Sequence, residues 1–284
     1  MPTRRRPETT DAAKPATFEV EAYNERGEMV PTSVAGEHPL TLYLDKREIV
    51  TLMTLGHAPE ALAIGYLRNQ GLVESLDAIA AVQVDWETDS VVVTTRTRVK
   101  GLRARMKKRT VTTGCGQGTV FGNLIEEIEK VRLRDDVRLT DAQLFDLVDK
   151  VRKHETIYKQ AGAVHGCALA RVTGPDRAEI MLFVEDVGRH NAVDAIAGVM
   201  WLDAIDGSDK LFYTTGRLTS EMVIKCVQME IPFLVSRSGL TRMGYEIAQK
   251  SGITMLGRAS GRHYLAFTGR ERLERTSVLP TAYA

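Results

Sequence analysis

The chain has 284 residues, enough for about two domains, and its 43% hydrophobic and 26% charged residues are ordinary for a globular protein. A formal net charge of +1 argues against nucleic acid or an anionic membrane as partner, so any pull on an anion must be local. Cys115, Cys167 and Cys226 lie far apart and read as reduced thiols of a cytoplasmic protein, and no apolar run approaches the ~20 residues of a membrane helix.

The opening "MPTRRRPETTDAAKP" carries charges but no apolar stretch behind them, which is no secretory signal; residues 1–16 are expected to be a disordered tail. Residues 17–138 are expected to form an α+β domain. "TFEVEAY" and "LTLYLD" alternate as half-buried strands. "APEALAIGYLRNQG" predicts a helix with Pro59 near its first turn and Gly71 as its stop. "IAAVQVDW" and "SVVVTTRTRV" predict two strands with Asp89 in the turn between them. "TVFGNLIEEIEKV" predicts a helix, and "RLRDDVRLT" a polar connector.

Residues 139–284 are expected to form an α/β layer domain. "TDAQ", Thr140 to Gln143, is a capping box, followed by Leu144, Leu147, Val148 and Val151 on one helix face. "AVHGCALARV" and "AEIMLFVED" predict strands, and "NAVDAIAGVMW" a helix. "KLFYTT", "TSEMVIKCVQME", "PFLVS", "TRMGYEIAQKSG" and "ITMLG" then alternate strand and helix. Such alternation predicts a largely parallel sheet.

Three loops in this part, "EDVGRHNAVD", "TTGRLTSE" and "SRSGLTRM", each follow a strand and open a helix. Each offers a glycine, an arginine (Arg189, Arg217, Arg237) and a helix N-terminus, where free N–H groups and the dipole favour phosphate. In an open α/β sheet such loops gather at one edge, so a ligand with several phosphates is expected there. Asp186, Asn191, Asp194 and Glu221 suit sugar hydroxyls or a base edge, and suit helix capping equally well.

One thiol stands apart. In "RMKKRTVTTGCGQGTVFG", Cys115 has Gly114 and Gly116 beside it and Lys107, Lys108 and Arg109 upstream, with Arg103 and Arg105 before them. Nearby cations lower a thiol pKa, and flanking glycines let another macromolecule's backbone approach. Cys226 falls between Met222 and Met229 at helical spacing and is expected in a core. His165 and Cys167 share a strand face, but no second pair stands at ligand spacing, so no structural metal is expected. The zinc deaminase signature, H-x-E with P-C-x-x-C, is absent.

At these residues the sequence resembles the formate dehydrogenase accessory sulfurtransferases, FdhD. The resemblance rests on "FVEDVGRHNAVD", "TTGRLTSEMVIKC", "SRSG" and the glycine-flanked Cys115. It extends over "GEHPLTLYLDKREI", "GHAPEALAIGYLRNQGLV" and "GRASGRHYLAFT", about residues 17 to 268 in all. It implies a cytoplasmic homodimer with a cytidine-deaminase-like C-terminal domain. Such a protein takes persulfide sulfur from a cysteine desulfurase and delivers it to the molybdenum bis(guanine dinucleotide) cofactor, bound as cargo, for the formate dehydrogenase catalytic subunit.

The resemblance makes Cys115 the persulfide-bearing residue. It puts the cofactor against Arg258, Ala259, Ser260, Gly261, Arg262 and His263, together with Gly188, Arg189, His190, Asn191, Thr215, Gly216, Arg217, Ser236 and Arg237. Two departures matter. Gly118 stands where many members have a second cysteine, which leaves a single-thiol transfer or a non-catalytic cofactor chaperone. Arg258 stands where an aromatic residue is common.

Overall fold

The computed structural model describes residues 5–97, 99, 102, 128–154 and 156–275. The Cys115 loop, the basic run before it and nearly all of the helix expected after it lie outside these residues. The chain divides into two compact units whose segments interleave: 1–130, 155–167 and 184–206 make the first, and 131–154, 168–183 and 207–284 the second. The structure is a mixed α/β protein.

The first unit is built on a five-stranded sheet, β1 (Glu8–Thr9), β4 (His38–Leu44), β5 (Arg47–Thr54), β6 (Ile79–Asp85) and β7 (Ser90–Thr95), in the order β1-β6-β7-β4-β5. Leu40, Leu42 and Leu44 alternate into its core, as do Val91 and Val93. A separate hairpin pairs β2 (Thr17–Tyr23) with β3 (Met29–Ala35). Asp89 lies in the β6–β7 turn, as expected from the sequence, and takes a positive φ there.

Helix α1 (Pro59–Asn69) begins with proline at a first-turn position, where the missing N–H costs no bond. It packs on α4 (Arg189–Leu202) through two glycines: a Cβ on Gly65 would lie 1.7 Å from the Asp194 carbonyl oxygen, and one on Gly198 would lie 1.9 Å from that of Ala61.

The expected disordered tail is corrected from residue 5 onward. β1 pairs in parallel with β6, and buried Glu60 accepts from Thr10 Oγ1 (2.8 Å) and Ala12 N (2.9 Å). Trp86 donates its indole N–H to the Ala12 carbonyl, and Lys14 lies over the Trp86 ring. Each anchor is more than seventy or about fifty residues away, so a polar segment with no periodicity of its own is held by distant partners.

The second unit centres on a six-stranded sheet in the order β10-β9-β11-β12-β13-β14. Its strands are β9 (His165–Gly174), β10 (Arg177–Asp186), β11 (Lys210–Thr214), β12 (Phe233–Ser236), β13 (Thr254–Ser260) and β14 (His263–Ala266). The β11–β12 and β12–β13 pairs are parallel, and β14 closes the edge antiparallel. Helices α5 (Ser220–Gln228) and α6 (Arg242–Ser251) follow β11 and β12.

The two-residue strand β8 (Leu139–Thr140) leads into helix α2 (Asp141–His154), which starts at the capping box with both reciprocal bonds made, Gln143 N to Thr140 Oγ1 and Thr140 N to Gln143 Oε1. It buries Leu144, Leu147, Val148 and Val151 against Leu211, Phe233, Val235 and Leu256. Tyr264 on β14 donates to Asp141 Oδ1 at 2.6 Å. No helix among the described residues is long and apolar enough to cross a membrane.

Two outcomes follow. Gly65→Ala forces α1 and α4 apart; overpacking of this kind costs about 1–3 kcal/mol, which exceeds the ~1 kcal/mol helix-propensity gain. Denaturant unfolding should therefore show Gly65→Ala clearly destabilised, whereas Gly174→Ala, whose Cβ would meet nothing closer than 3.9 Å, stays close to the native chain. The second outcome concerns pH. Burial, and then the bond to Asp141, push the Tyr264 hydroxyl pKa from 10.0 to about 12. The folded pKa is the raised one, so the contribution of this bond is complete below pH 10 and is lost as pH rises toward 12. Urea unfolding across that window should cost the native chain more stability than Tyr264→Phe.

Candidate functional site

The strand-to-helix turns share one device. The last strand residue turns its side-chain oxygen onto the backbone N–H two residues ahead. Asp186 Oδ1 accepts from Gly188 N (3.0 Å), Thr214 Oγ1 from Gly216 N (3.1 Å), and Ser236 Oγ from Ser238 N (2.9 Å). These side chains compete well for local backbone donors, which suits them to the point where a ladder ends. A fourth turn does the same: Thr54 Oγ1 accepts from Gly56 N at 3.2 Å, between β5 and α1. Sequence reasoning missed this one, although "TLGH" at 54–57 mirrors "TTGR" at 214–217.

In the second unit the turns at 214–219 and 236–241 are joined. Ser236 Oγ donates to the Gly216 carbonyl (2.7 Å), Leu218 N to Gly239 O (2.9 Å), and Thr241 N to Leu218 O (3.1 Å). Leu218 and Leu240 form a parallel bridge. Helix α6 enters close by, since a Cβ on Gly244 would lie 2.7 Å from Leu218 O, and Thr241 caps it by accepting from Gly244 N. Thr215, Gly216 and Ser236 are buried, while Arg217 and Arg237 are exposed.

The 258–263 segment joins this edge at its first residue. Arg258 N donates to the Ser238 carbonyl at 2.9 Å, which puts three cation-bearing segments side by side. Arg258 is exposed and has φ +53, in the left-handed region, where β13 and β14 slip register between Gly257 and Ser260. A non-glycine residue held there is costly and persists only when its surroundings fix it. Ala259 is buried in the core, Ser260 and His263 pair across the strand turn, and Gly261 takes φ +56. Arg262 stacks on Phe145 of α2, its guanidinium carbon 5.2 Å from the ring centre.

The 188–191 turn belongs to the first unit. Asp186 is 4% exposed and accepts four hydrogen bonds: Gly188 N, Asn191 Nδ2 (2.8 Å), Thr54 Oγ1 (2.6 Å) and Leu55 N (3.1 Å). Burial pushes its pKa up, and the donors pull against that. Asn191 Nδ2 also reaches the Met53 carbonyl (2.6 Å), and Asp194 accepts from Asn69 Nδ2 (2.7 Å). Asp186 and Asn191 thus build the turn, Asp194 ties α4 to the last residue of α1, and Glu221 pairs with buried Lys225 one helical turn on. Arg189 is 8% exposed and His190 half-buried.

Cys226 is fully buried beside Met222 and Met229, as its spacing implies. Cys167 is fully buried, its Sγ 3.9 Å from the Arg189 carbonyl. Among the described residues no group of three or more His, Cys, Asp or Glu could hold a metal.

Arginines, helix N-termini and fixed turns on one sheet edge can hold a polyanion. The chain is 29% identical over 241 residues to the sulfur carrier protein FdhD of Wolinella succinogenes, covering 85% of this chain and 82% of that one. It is 29% identical over 246 residues to the sulfur carrier protein FdhD of Listeria innocua, covering 86% and 92%. A crystal structure from Desulfotalea psychrophila, described as a candidate formate dehydrogenase accessory protein, superimposes with a TM-score of 0.74 at 26% identity, covering 92% of this chain and all of that one. The FdhD/NarQ family model matches residues 35–274, and the chain belongs to that family.

Proposed function

We propose that the chain is a sulfurtransferase of formate dehydrogenase maturation. In this reading it takes persulfide sulfur from a cysteine desulfurase on Cys115 and delivers it to a molybdenum bis(guanine dinucleotide) cofactor held as cargo. It works in the cytoplasm as a homodimer. The observation that carries the reading is the joined edge in the second unit, where the Arg217, Arg237 and Arg258 segments share hydrogen bonds within a family whose named relatives are sulfur carriers. A cofactor with two guanine dinucleotides brings several phosphates, and such an edge suits them. The three parallel strands flanked by β9 and β10 suit the cytidine-deaminase-like layering that the family resemblance implies.

The chemistry needs one thiol. The Cys115 thiolate attacks the outer sulfur of the desulfurase persulfide; the new S–S bond forms as the old one breaks, and the desulfurase thiolate leaves. The basic run upstream favours the thiolate. In this reading Arg217 and Arg258 hold the phosphates of the cargo. The absent second cysteine, with Gly118 in its place, favours one rival reading, a carrier that binds the cofactor without moving sulfur.

Cys115→Ala should fold, bind nucleotide and fail to activate formate dehydrogenase, whereas Cys167→Ala and Cys226→Ala keep activity with lower melting temperatures. Complementation of a strain lacking the accessory protein, with thermal melting of each variant, checks this; restoration by all three variants would leave the carrier reading standing. Guanine nucleotides should bind better than adenine ones. Arg217→Ala should lose a charge-assisted contact of about 1.5–3 kcal/mol, or roughly one to two decades in Kd. Titration calorimetry with GDP showing unchanged affinity removes Arg217 from the site.

A further inference from the structure

The β2–β3 hairpin of the first unit is a sheet of its own, two strands wide. Such a hairpin is marginal in water and gains stability from a third strand or a helix packed on it. On β3 a helix is present. Buried Glu185 accepts from Ile157 N and Tyr158 N and so caps the short helix α3 (Ile157–Ala161), which packs against β3. Beyond β2 there is no further strand among the described residues.

The hydrogen-bond ladder shows which main-chain groups this leaves at the edge. Gly36 N donates to the Ala16 carbonyl at one end of the hairpin (2.8 Å), and Asn24 N to the Glu28 carbonyl at the other (3.1 Å). Antiparallel pairs alternate between bonded and non-bonded. With Phe18 opposite Val34, Val20 opposite Thr32 and Ala22 opposite Val30, the even residues of β2 use their N–H and C=O inside the hairpin. Thr17, Glu19, Glu21 and Tyr23 turn theirs outward. The outer edge of β3 carries Pro31, which has no N–H to offer, so that edge is blunted and the edge of β2 is not.

The two faces differ as well. Phe18, Val20 and Val34 share one face and stay 45%, 40% and 41% exposed, with Ala22 and Val30 half-buried beside them. The other face carries exposed Glu19 and Glu21 opposite Ser33 and Pro31, and neither glutamate has an ion pair among the described residues. A second copy of β2 fits this edge badly. Antiparallel pairing in the registers with most overlap sets Glu19 or Glu21 directly opposite a glutamate of the other copy, and like charges there are destabilising. A strand that alternates apolar and basic residues fits both faces. Its apolar side chains extend the Phe18 and Val20 face, and its Lys or Arg side chains stand opposite Glu19 and Glu21.

We propose that the outer edge of β2 is a docking site for an extended segment of a partner protein in which basic and apolar residues alternate, added antiparallel as a third strand. Main-chain hydrogen bonds to residues 17, 19, 21 and 23 supply affinity, and the alternation of side chains supplies specificity. The two glutamates turn away a second copy and admit a basic strand.

The probe is the peptide amide Lys-Val-Arg-Val-Lys-Val-Arg, as long as β2, added to the full chain. Anisotropy of the labelled peptide should give a saturable titration, and hydrogen–deuterium exchange should show residues 17–23 gaining protection. A peptide of the same composition with its basic residues in one block should not compete. Methylating the Lys and Arg backbone nitrogens, which face β2 in this pairing, should abolish binding, whereas methylating the Val nitrogens, which face away, should preserve it. Glu19→Lys combined with Glu21→Lys should weaken binding at least about tenfold and admit Glu-Val-Glu-Val-Glu-Val-Glu, which the native chain refuses. The proposal is overturned by the lack of a saturable titration, by equal competition from the blocked peptide, by protection that spares 17–23, or by native affinity in the doubly reversed chain. Protection of 17–23 that grows with protein concentration without peptide also overturns it and gives the edge to a second copy. If the doubly reversed chain does not fold, the methylated peptides on the native chain decide, and equal affinity of the two overturns the proposal.

Discussion

A strand that enters a helix through a tight turn strands backbone N–H groups beyond the reach of either hydrogen-bond ladder, and a buried donor left without an acceptor costs free energy. Among the described residues this constraint is met four times with the same answer, an oxygen on the last strand residue: Thr54, Asp186, Thr214 and Ser236. All four are buried. The choice of oxygen then decides what else each turn can do. A hydroxyl can donate once as well as accept, and Ser236 uses its proton on the Gly216 carbonyl to join two turns. A carboxylate only accepts, so Asp186 gathers donors from both sides, among them the Thr54 hydroxyl that has already served its own turn. The turns are paired by this arithmetic of donors and acceptors within each unit.

Packing adds the second condition. Helices that follow such turns must sit close enough for the pairing to close, and glycine provides the approach. Gly65 and Gly198 bring α1 and α4 into backbone contact in the first unit, and Gly244 brings α6 against the Leu218 carbonyl in the second. None of these three glycines has a positive φ, so their value lies in the missing side chain. Arg258 is the opposite case. It has a side chain and a positive φ, and it is held by its N–H bond to Ser238 at a slip in the β13–β14 register. Its exposure puts a charged group at the joined edge at the expense of an ideal strand.

What was legible in the sequence follows from range. The capping box at 140–143 is local, and both of its bonds are present. The alternation of strand and helix from 163 onward, the buried face of Leu144, Leu147, Val148 and Val151, and the core position of Cys226 are periodic signals and came through. Three of the four turns were legible because glycine and arginine follow a strong apolar run. The 54–57 turn was not, since β5, "REIVTLMT", alternates with threonine and reads weakly as a strand. The anchoring of residues 5–16 depends on Glu60 and Trp86, and the short helix at Ile157–Ala161 depends on Glu185, none of them near in sequence. The left-handed Arg258 had no sequence sign at all, because its bulge is set by strand register.

The electrostatics place the burden on the turns rather than on the arginines. With a net charge of +1 the chain has no general field to draw a polyphosphate in. Arg217, Arg237 and Arg258 are exposed, where one charge pair at 4 Å is worth only about 1 kcal/mol in water. The same charges gain strength only once a ligand excludes water and meets donors that need not move to receive it. Fixed turns are what buried Thr214 and Ser236 supply, by holding Gly216 and Ser238 in place. An edge built this way loses more from disturbance of a buried strand-end oxygen, which releases a whole turn, than from deletion of one solvated guanidinium that its neighbours can in part replace.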